Sequence, residues 1–213
     1  MNFDKNNNKI YFNCDYTEGA TEKIIDALIK TNFTQTIGYG EDYICENARN
    51  TIKKACGMDN VDVHFLVGGT QANFTIISSI LKPYQGVISA KTGHINIHET
   101  GAIEATGHKV LALPCSVDGK ISAKQIEDAC ISHYNDASFE HMVQPGMVYI
   151  SQPTEIGAIY SKSELTQINE VCKKYNMPLF VDGARLGYAL ASSENDVSLH
   201  ELCGLCDVFY IGG

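Results

Sequence analysis

MVYIS at residues 147–151 and LFV at residues 179–181, within the stretch PLFVDGAR at residues 178–185, are two short apolar runs separated by a helical pattern over residues 161–175. An uninterrupted apolar run of this length is typical of a strand that is buried on both faces. Ser161, followed by Glu164, forms a capping box and marks the start of the intervening helix. Because parallel neighbours need a crossover connection, this stretch predicts a strand–helix–strand unit in a parallel sheet.

The same alternation of strand-like and helix-like periods continues in both directions from this unit. The predicted strands are residues 61–67, 86–90, 110–113 and 208–211, and the predicted helices are residues 72–81, 98–105 and 122–133. A second capping box, Ser122 with Gln125, marks the start of the last of these helices. We therefore predict an α/β protein with three layers, α/β/α, around a mostly parallel sheet.

Two amphipathic helical patterns precede the alternating segments, over residues 21–30 and 42–56, and Gly57 is a typical C-cap of the second. Neither a linker nor an internal repeat divides the chain. We predict an N-terminal helical segment over residues 1–57 and a large domain over residues 58–213. The N-terminal segment is expected to pack against the main layer or against a partner subunit.

The composition is typical of a globular protein: 213 residues, 44% hydrophobic and 19% charged. The formal net charge of -9 would repel phosphate backbones, so we expect no nucleic-acid partner. Residues 1–9 are polar and lack the apolar segment of a signal peptide, and no stretch approaches the roughly 20 apolar residues of a membrane span. We expect a cytoplasmic protein without a membrane partner.

Eight cysteines are scattered through apolar, periodic segments, so most are expected to be reduced and buried. Cys203 and Cys206 have the spacing of a redox pair or of half a zinc site, but no second pair follows them. We interpret this pair as structural. Loss of activity under mild oxidation would favour the redox interpretation.

Ligands of parallel α/β sheets bind at the carboxyl ends of the strands, so the residues after each predicted strand are candidate site residues. Gly68-Gly69-Thr70-Gln71 follow the strand predicted over residues 61–67, and a helix begins there with free N–H groups. The stretch is either an anion cradle or a plain strand-to-helix turn capped by Thr70. The sequence has neither a G-x-G-x-x-G fingerprint nor a P-loop lysine here, so neither a dinucleotide nor a nucleoside triphosphate is indicated.

His94 follows the strand predicted over residues 86–90. With an ordinary pKa of about 6.5, it could act as an acid or base or stack on a planar ligand, and the alternative is a hydrogen-bonded structural histidine. His94 and His98, with Glu99 adjacent, have a spacing that metal ligands can use, but their order matches neither H-E-x-x-H nor H-x-x-E-H. We predict no metal site.

Asp182 ends an apolar strand, and a buried carboxylate is costly without a positive partner. It therefore either pairs with Arg185 or holds the protonated ring nitrogen of a ligand, which would strengthen a pyridinium ring as an electron sink. Residues 207–213, DVFYIGG, form a further buried-looking strand that runs into two glycines where the sequence stops. Because a domain rarely ends on a core strand, we expect the sequence to be incomplete.

These features follow the order found in the threonine aldolase group of the aromatic amino acid β-eliminating lyase family, and the sequence resembles that group over nearly its whole length. The resemblance also includes Cys14-Asp15, residues 39–42, residues 90–101 and residues 151–155. It implies a PLP-dependent transferase-like, fold-type I large domain that binds pyridoxal 5'-phosphate (PLP). It also implies a homodimer or homotetramer whose subunits complete each other's active sites.

The resemblance implies a role for each candidate residue. The cofactor phosphate would be bound by Gly69, Thr70 and Gln71. His94 would stack on the ring, Asp182 would hold the ring nitrogen, and Arg185 would face the carboxylate of the amino-acid substrate. The other substrate-side residues implied are Cys14 and Tyr39. Cys14 stands where the family usually has a serine, and because a thiol is a poorer donor, weaker carboxylate binding or a different amino acid is possible.

The implied reaction cleaves the Cα–Cβ bond of a β-hydroxy-α-amino acid, threonine or allo-threonine, to glycine and an aldehyde, with His94 as the candidate base. In the family, Thr-Lys follows the Gly-Gly stretch, and the lysine binds the cofactor covalently. This lysine and the C-terminal small domain are absent from the sequence, so we expect the 213 residues to be inactive alone. The alternatives are another fold-type I reaction, such as β-elimination or racemisation, and a non-catalytic PLP-binding module.

Overall fold

The computed structural model describes residue 11 and residues 13–212. The statements about residues 1–9 and Gly213 therefore lie outside the described residues. The chain divides into two compact units, Met1–Glu46 and Asn47–Gly213. The domain boundary predicted after residue 57 stays a prediction.

The first unit contains helix α1 (Glu22–Thr31) and the start of helix α2 (Tyr43–Cys56), as the sequence predicted. An acidic residue in the first turn of α1 and a basic residue in its last turn complement the helix dipole. The Asp42 carboxylate accepts hydrogen bonds from the N–H groups of Ile44 and Cys45, both at 2.9 Å, and so caps α2. Four apolar side chains of α1 are exposed in the single chain: Ile24, Ile25, Leu28 and Ile29.

The second unit is built on a parallel sheet of five strands in the order β2-β1-β3-β4-β5. The strands are β1 (Gln85–Ala90), β2 (Lys109–Leu113), β3 (Gln144–Ser151), β4 (Leu179–Asp182) and β5 (Val208–Phe209). The helices are α3 (Gly69–Ile80), α4 (His94–Ile97), α5 (Ala102–Ala105), α6 (Ala123–Tyr134), α7 (Lys162–Lys174), α8 (Leu186–Ala191) and α9 (Leu199–Leu205), and Phe139–His141 form a 3-10 turn.

Two apolar cores lie on the two faces of the sheet, because successive side chains of a strand point to opposite sides. In β4, Leu179 and Val181 pack into one core with α6, α7, α8 and α9, whereas Phe180 packs into the other core with α3, α4 and α5. The prediction of a three-layer α/β/α fold with a mostly parallel sheet is therefore confirmed.

Local signals marked the longer helices correctly. Both predicted capping boxes are present, at Ser122 and at Ser161, and a third one, which was not predicted, begins α9 at Ser198. The short helices α8 and α9 were not predicted either. Among the described residues, no helix has the length and apolar character needed to cross a membrane.

Two predicted elements are wrong. Residues 61–67 pair with none of the five strands of the described sheet, and Phe65, Leu66 and Val67 are exposed. Their alternation implies two faces, but a strand also needs a neighbour that accepts its hydrogen bonds. The helix predicted over residues 98–105 is replaced by α4 and α5, because Thr100 and Gly101 adopt left-handed backbone angles, φ 55° and φ 73°, that interrupt a right-handed helix.

Candidate active site

Two strand ends meet at the carboxyl edge of the sheet. Ser151, the last residue of β3, lies in register with Asp182, the last residue of β4. Asp182 alternates with Val181 along the strand, so it points to the α3 face together with Tyr149 of β3. Asp182 is only 4% exposed, so its carboxylate is almost fully desolvated.

The hydrogen bonds that the structure shows on the Asp182 carboxylate come from neutral donors. Its Oδ2 atom accepts from the Tyr149 hydroxyl at 2.5 Å and from Nδ2 of Asn73 at 3.1 Å, and its Oδ1 atom accepts from the Ala184 N–H at 3.0 Å. The Tyr210 hydroxyl is also hydrogen bonded to this carboxylate. Burial, together with the nearby negative charge, raises the pKa of both tyrosines, so they remain protonated donors.

Asn73 connects Asp182 to a second buried carboxylate. Its Nδ2 atom also donates to Oε1 of Glu99 at 2.7 Å, and the same Glu99 oxygen lies 2.7 Å from Nδ1 of His94. The residues therefore form one continuous network that runs from Asp182 through Asn73 and Glu99 to His94. Neither Asn73 nor Glu99 was a predicted site residue.

His94 begins α4, and its side chain is 41% exposed. Its backbone N–H donates to Oε1 of Glu155 at 2.7 Å, and the Ser151 hydroxyl donates to the same oxygen at 2.7 Å. The hydrogen bond to Glu99 raises the pKa of His94, against the opposing effect of partial burial. His94 is thus held by its backbone on one side and by its ring on the other.

The predicted anion cradle is the first turn of α3, with Gly68 as the N-cap. The first intrahelical hydrogen bond runs from the Ala72 N–H to the Gly68 carbonyl, so the N–H groups of Gly69, Thr70 and Gln71 have no acceptor within the helix. A Cβ atom on Gly69 would lie 2.8 Å from the Tyr210 hydroxyl, whereas one on Gly68 would meet nothing within 4 Å. The two glycines therefore differ: Gly69 makes room for a side chain of the protein, and Gly68 faces open space.

The three candidates for the substrate side are Arg185 in the second unit and Cys14 and Tyr39 in the first. Arg185 is exposed at the N-cap of α8, three residues after Asp182. In the first unit, Cys14 is half-buried, and Tyr39 is fully exposed with a left-handed φ of 62°. The roles predicted for these three residues toward a substrate stay predictions.

Metal and thiol interpretations gain no support from the geometry. Nδ1 of His94 is engaged by Glu99, and the described residues contain no group of three or more His, Cys, Asp or Glu side chains that could hold a metal ion. All eight cysteines are free thiols. Only Cys56, Cys130 and Cys172 are fully buried, so the expectation that most would be buried is wrong; the other five lie at partly covered positions.

Four network residues were not predicted from the sequence: Asn73, Glu99, Tyr149 and Tyr210. A weak signal existed for two of them. Asn73 interrupts the apolar face of α3, next to the buried Ala72, and Tyr149 is a polar-tipped residue inside the apolar run of β3. A buried hydroxyl or amide normally has a hydrogen-bond partner, so such interruptions indicate a polar neighbour.

The comparisons with known proteins agree with this geometry. The family model described as beta-eliminating lyase matches residues 12–213. A low specificity L-threonine aldolase of Pseudomonas sp. (strain NCIMB 10558) is 31% identical over 182 residues, which cover 84% of this chain and 51% of that protein. The chain therefore spans about half the length of this curated relative.

Solved structures show the same relationship. The structure of Leishmania major threonine aldolase superposes with a TM-score of 0.87 at 47% identity, covering 92% of this chain and 56% of that one. An aminotransferase from Escherichia coli, at 18% identity and a TM-score of 0.61 over 78% of this chain and 40% of that one, shares the fold alone. The predicted resemblance and the fold-type I architecture are confirmed: this chain belongs to the beta-eliminating lyase family.

Proposed function

We propose that this chain is the cofactor-binding part of a PLP-dependent carbon–carbon lyase that cleaves threonine or allo-threonine to glycine and an aldehyde. The observation that carries the proposal is Asp182, a buried strand-end carboxylate that is joined through Asn73 and Glu99 to His94. The 31% identity to a threonine aldolase supports this reaction over β-elimination and racemisation, which the same fold can also support.

The residues present fit PLP. A buried carboxylate such as Asp182, with neutral donors on it, is suited to hold a proton on a ring nitrogen, because the opposite charge is then stabilised in a low dielectric. The free N–H groups at the start of α3, beside the open space at Gly68, are suited to a phosphate. When bound, PLP supplies the electron sink that Cα–Cβ cleavage needs.

Each candidate site residue has a defined task in the proposal. Asp182 holds the ring-nitrogen proton and keeps the ring oriented. His94 has its Nδ1 atom engaged by Glu99, so Nε2 is the ring nitrogen left to accept the β-hydroxyl proton, and the imidazole ring would stack on the cofactor. Arg185, exposed at the start of α8, binds the substrate carboxylate as a planar cation. Cys14 and Tyr39 complete the substrate side.

We further propose that the protein is a cytoplasmic homodimer or homotetramer. The exposed apolar stripe of α1, which includes Ile25, Leu28 and Ile29, supports assembly because contiguous exposed apolar side chains commonly mark interfaces. We also propose that residues 58–213 belong to the large PLP-binding domain. Turnover is proposed to need the lysine that follows the Gly-Gly stretch in the family, so the 213 residues alone are expected to bind PLP without catalysis.

The experiment compares Asp182→Asn with Asp59→Asn, a substitution of the same chemistry at an exposed position of the same unit. Loss of a charge-assisted interaction of about 1.5–3 kcal/mol should weaken PLP binding to the 213-residue chain roughly 10- to 100-fold in Asp182→Asn, measured by equilibrium dialysis. Asp59→Asn should bind like the wild type. Equal binding by all three chains would contradict the proposed cofactor site.

Product analysis tests the reaction itself. The natural protein that contains these residues should convert threonine to glycine and acetaldehyde, and the Asp182→Asn variant should lose this activity. Release of ammonia and a 2-oxo acid would assign the protein to β-elimination instead, and inversion of an amino acid would assign it to racemisation. Acetaldehyde formation by the 213 residues alone would contradict the proposed need for the lysine.

A further inference from the structure

Asn73 lies between two carboxylates, and this placement determines the orientation of its amide. Its Nδ2 atom is 2.7 Å from Oε1 of Glu99 and 3.1 Å from Oδ2 of Asp182. A carboxylate only accepts hydrogen bonds, so the NH2 group of Asn73, which has two hydrogens, must face both acidic residues. Rotating the amide would place its oxygen against two acceptors. Asn73 therefore holds Glu99 at a set distance from Asp182.

Glu99 is the group that engages the ring of His94. Its side chain has 0% exposure, and its Oε1 atom accepts from Asn73 and contacts Nδ1 of His94 at 2.7 Å. The other carboxylate nearby, Glu155, accepts the backbone N–H of His94 and leaves the ring free. Of the groups that face the imidazole, Glu99, Asp182, Glu155 and His98, Glu99 is the one shown hydrogen bonded to it.

Fold stability does not account for this arrangement. Oε2 of Glu99 and Oδ1 of Asn73 are buried and have no hydrogen-bond partner among the described residues. Buried acceptors without donors destabilise a folded protein, so an apolar pair of similar volume would serve the core better. A polar pair that is costly to the fold and touches both Asp182 and His94 points to a role in the site.

We propose that Glu99 is a positioning residue for the reaction, held in place by Asn73, and that it keeps the proton of neutral His94 on Nδ1. The lone pair of His94 is then on Nε2, which is the nitrogen left to accept the substrate's β-hydroxyl proton. When Nε2 accepts that proton, His94 becomes an imidazolium, and the adjacent Glu99 carboxylate balances its charge. The inference rests on the proposed function for its purpose, but the tautomer is a property of the chain alone.

The test is nuclear magnetic resonance of the 213-residue chain, labelled with ¹⁵N-histidine and free of cofactor and substrate. The wild type should show neutral His94 with its proton on Nδ1, the opposite of the tautomer that a free imidazole prefers. Glu99→Gln removes the charge but keeps an acceptor oxygen, so the pKa of His94 should fall while the tautomer persists. Glu99→Leu removes the acceptor too, so the tautomer should also revert.

Glu104→Gln is the matched control, because Glu104 is an exposed residue of α5 in the same part of the chain. It should change neither the pKa nor the tautomer of His94. An unchanged His94 pKa in a folded Glu99→Gln chain would overturn the inference. If the Glu99 variants do not fold, the wild-type spectrum decides alone: a proton on Nε2 overturns the proposal, and one on Nδ1 supports it.

These outcomes are separable from the proposed function. A protein that released no glycine from threonine would remove the proposed reaction and leave the His94 tautomer as measured. A His94 proton found on Nε2 would rule out the proposed role of Glu99 without affecting the proposed reaction.

Discussion

Gly183 is the residue at which the packing around Asp182 is tightest, and its replacement by alanine gives a sharp prediction. A Cβ atom at this position would lie 2.0 Å from the backbone carbonyl oxygen of Tyr210 and 3.0 Å from Cβ of Leu186. The Tyr210 oxygen belongs to the backbone that continues β5, so it cannot rotate away as a flexible side chain would. Gly183→Ala must therefore push the two backbone segments apart.

The magnitude follows from the contacts that this movement strains. Two backbone hydrogen bonds tie the segments together, from the Gly212 N–H to the Gly183 carbonyl at 3.0 Å and from the Tyr210 N–H to the Val181 carbonyl at 3.3 Å. Overpacking costs about 1–3 kcal/mol, and each lost backbone hydrogen bond costs about 0.5–1.5 kcal/mol. We expect Gly183→Ala to lower the free energy of unfolding by about 2–6 kcal/mol, a large share of a typical domain's stability.

The matched control is Gly187→Ala, four residues along the chain in α8. A Cβ atom on Gly187 would meet nothing within 4 Å, and alanine favours a helix over glycine by up to about 1 kcal/mol. Urea unfolding followed by far-ultraviolet circular dichroism should therefore move the midpoint down for Gly183→Ala and leave it level or higher for Gly187→Ala. Equal midpoints for the two variants would refute the steric argument.

Three further predictions concern the network and the thiols. Tyr149→Phe removes the 2.5 Å hydrogen bond to the buried Asp182 carboxylate and should destabilise the chain by about 1.5–3 kcal/mol, whereas the exposed Tyr84→Phe should change urea stability by less than about 0.5 kcal/mol. Folding raises the pKa of His94 above its ordinary value of 6.5. The stabilisation that His94 contributes is therefore complete below that pH and is lost as the pH rises through the folded pKa. Thermal midpoints measured across pH should vary less for His94→Gln than for the wild type, and identical profiles would contradict the role of Glu99 in raising this pKa. Iodoacetamide at neutral pH, followed by mass spectrometry, should leave four thiols unmodified until the chain unfolds, because burial raises the pKa to about 11 for Cys130 and to about 12 for Cys172, Cys203 and Cys206.

The strands and longer helices could be predicted because their signals are local. The apolar runs of β3 and β4 need only be buried on both sides, and the serines at positions 122 and 161 satisfy N–H groups within three residues of themselves. Residues 61–67 show the limit of this reasoning. Their alternation is as regular as that of a strand, but pairing depends on which neighbour the rest of the chain places beside them.

The positions of the main site residues could be predicted from the sequence, but the hydrogen bonds between them could not. Strand-end logic identified Asp182 and His94, since both follow apolar runs, but it left open whether Asp182 would meet Arg185 or a ligand. The partners that the structure shows, Tyr149, Asn73 and Tyr210, come from three separate segments. Their approach depends on the alternation of β3 and β4 and on the packing of α3 against one face of the sheet.

Periodicity, caps and motifs act over short stretches, so the three-layer parallel fold, the order of the candidate site residues and the family could all be inferred from the sequence. The folded chain was needed to show that Asn73 joins Asp182 to Glu99, that Glu99 and not Glu155 engages the His94 ring, and that Gly69 makes room for Tyr210. Glu99 and His94 are only 5 positions apart, but the Asn73–Asp182 hydrogen bond joins residues that are 109 positions apart. Hydrogen bonds at such separations are chosen by how sheets and helices pack, and the local pattern of side chains carries no record of them.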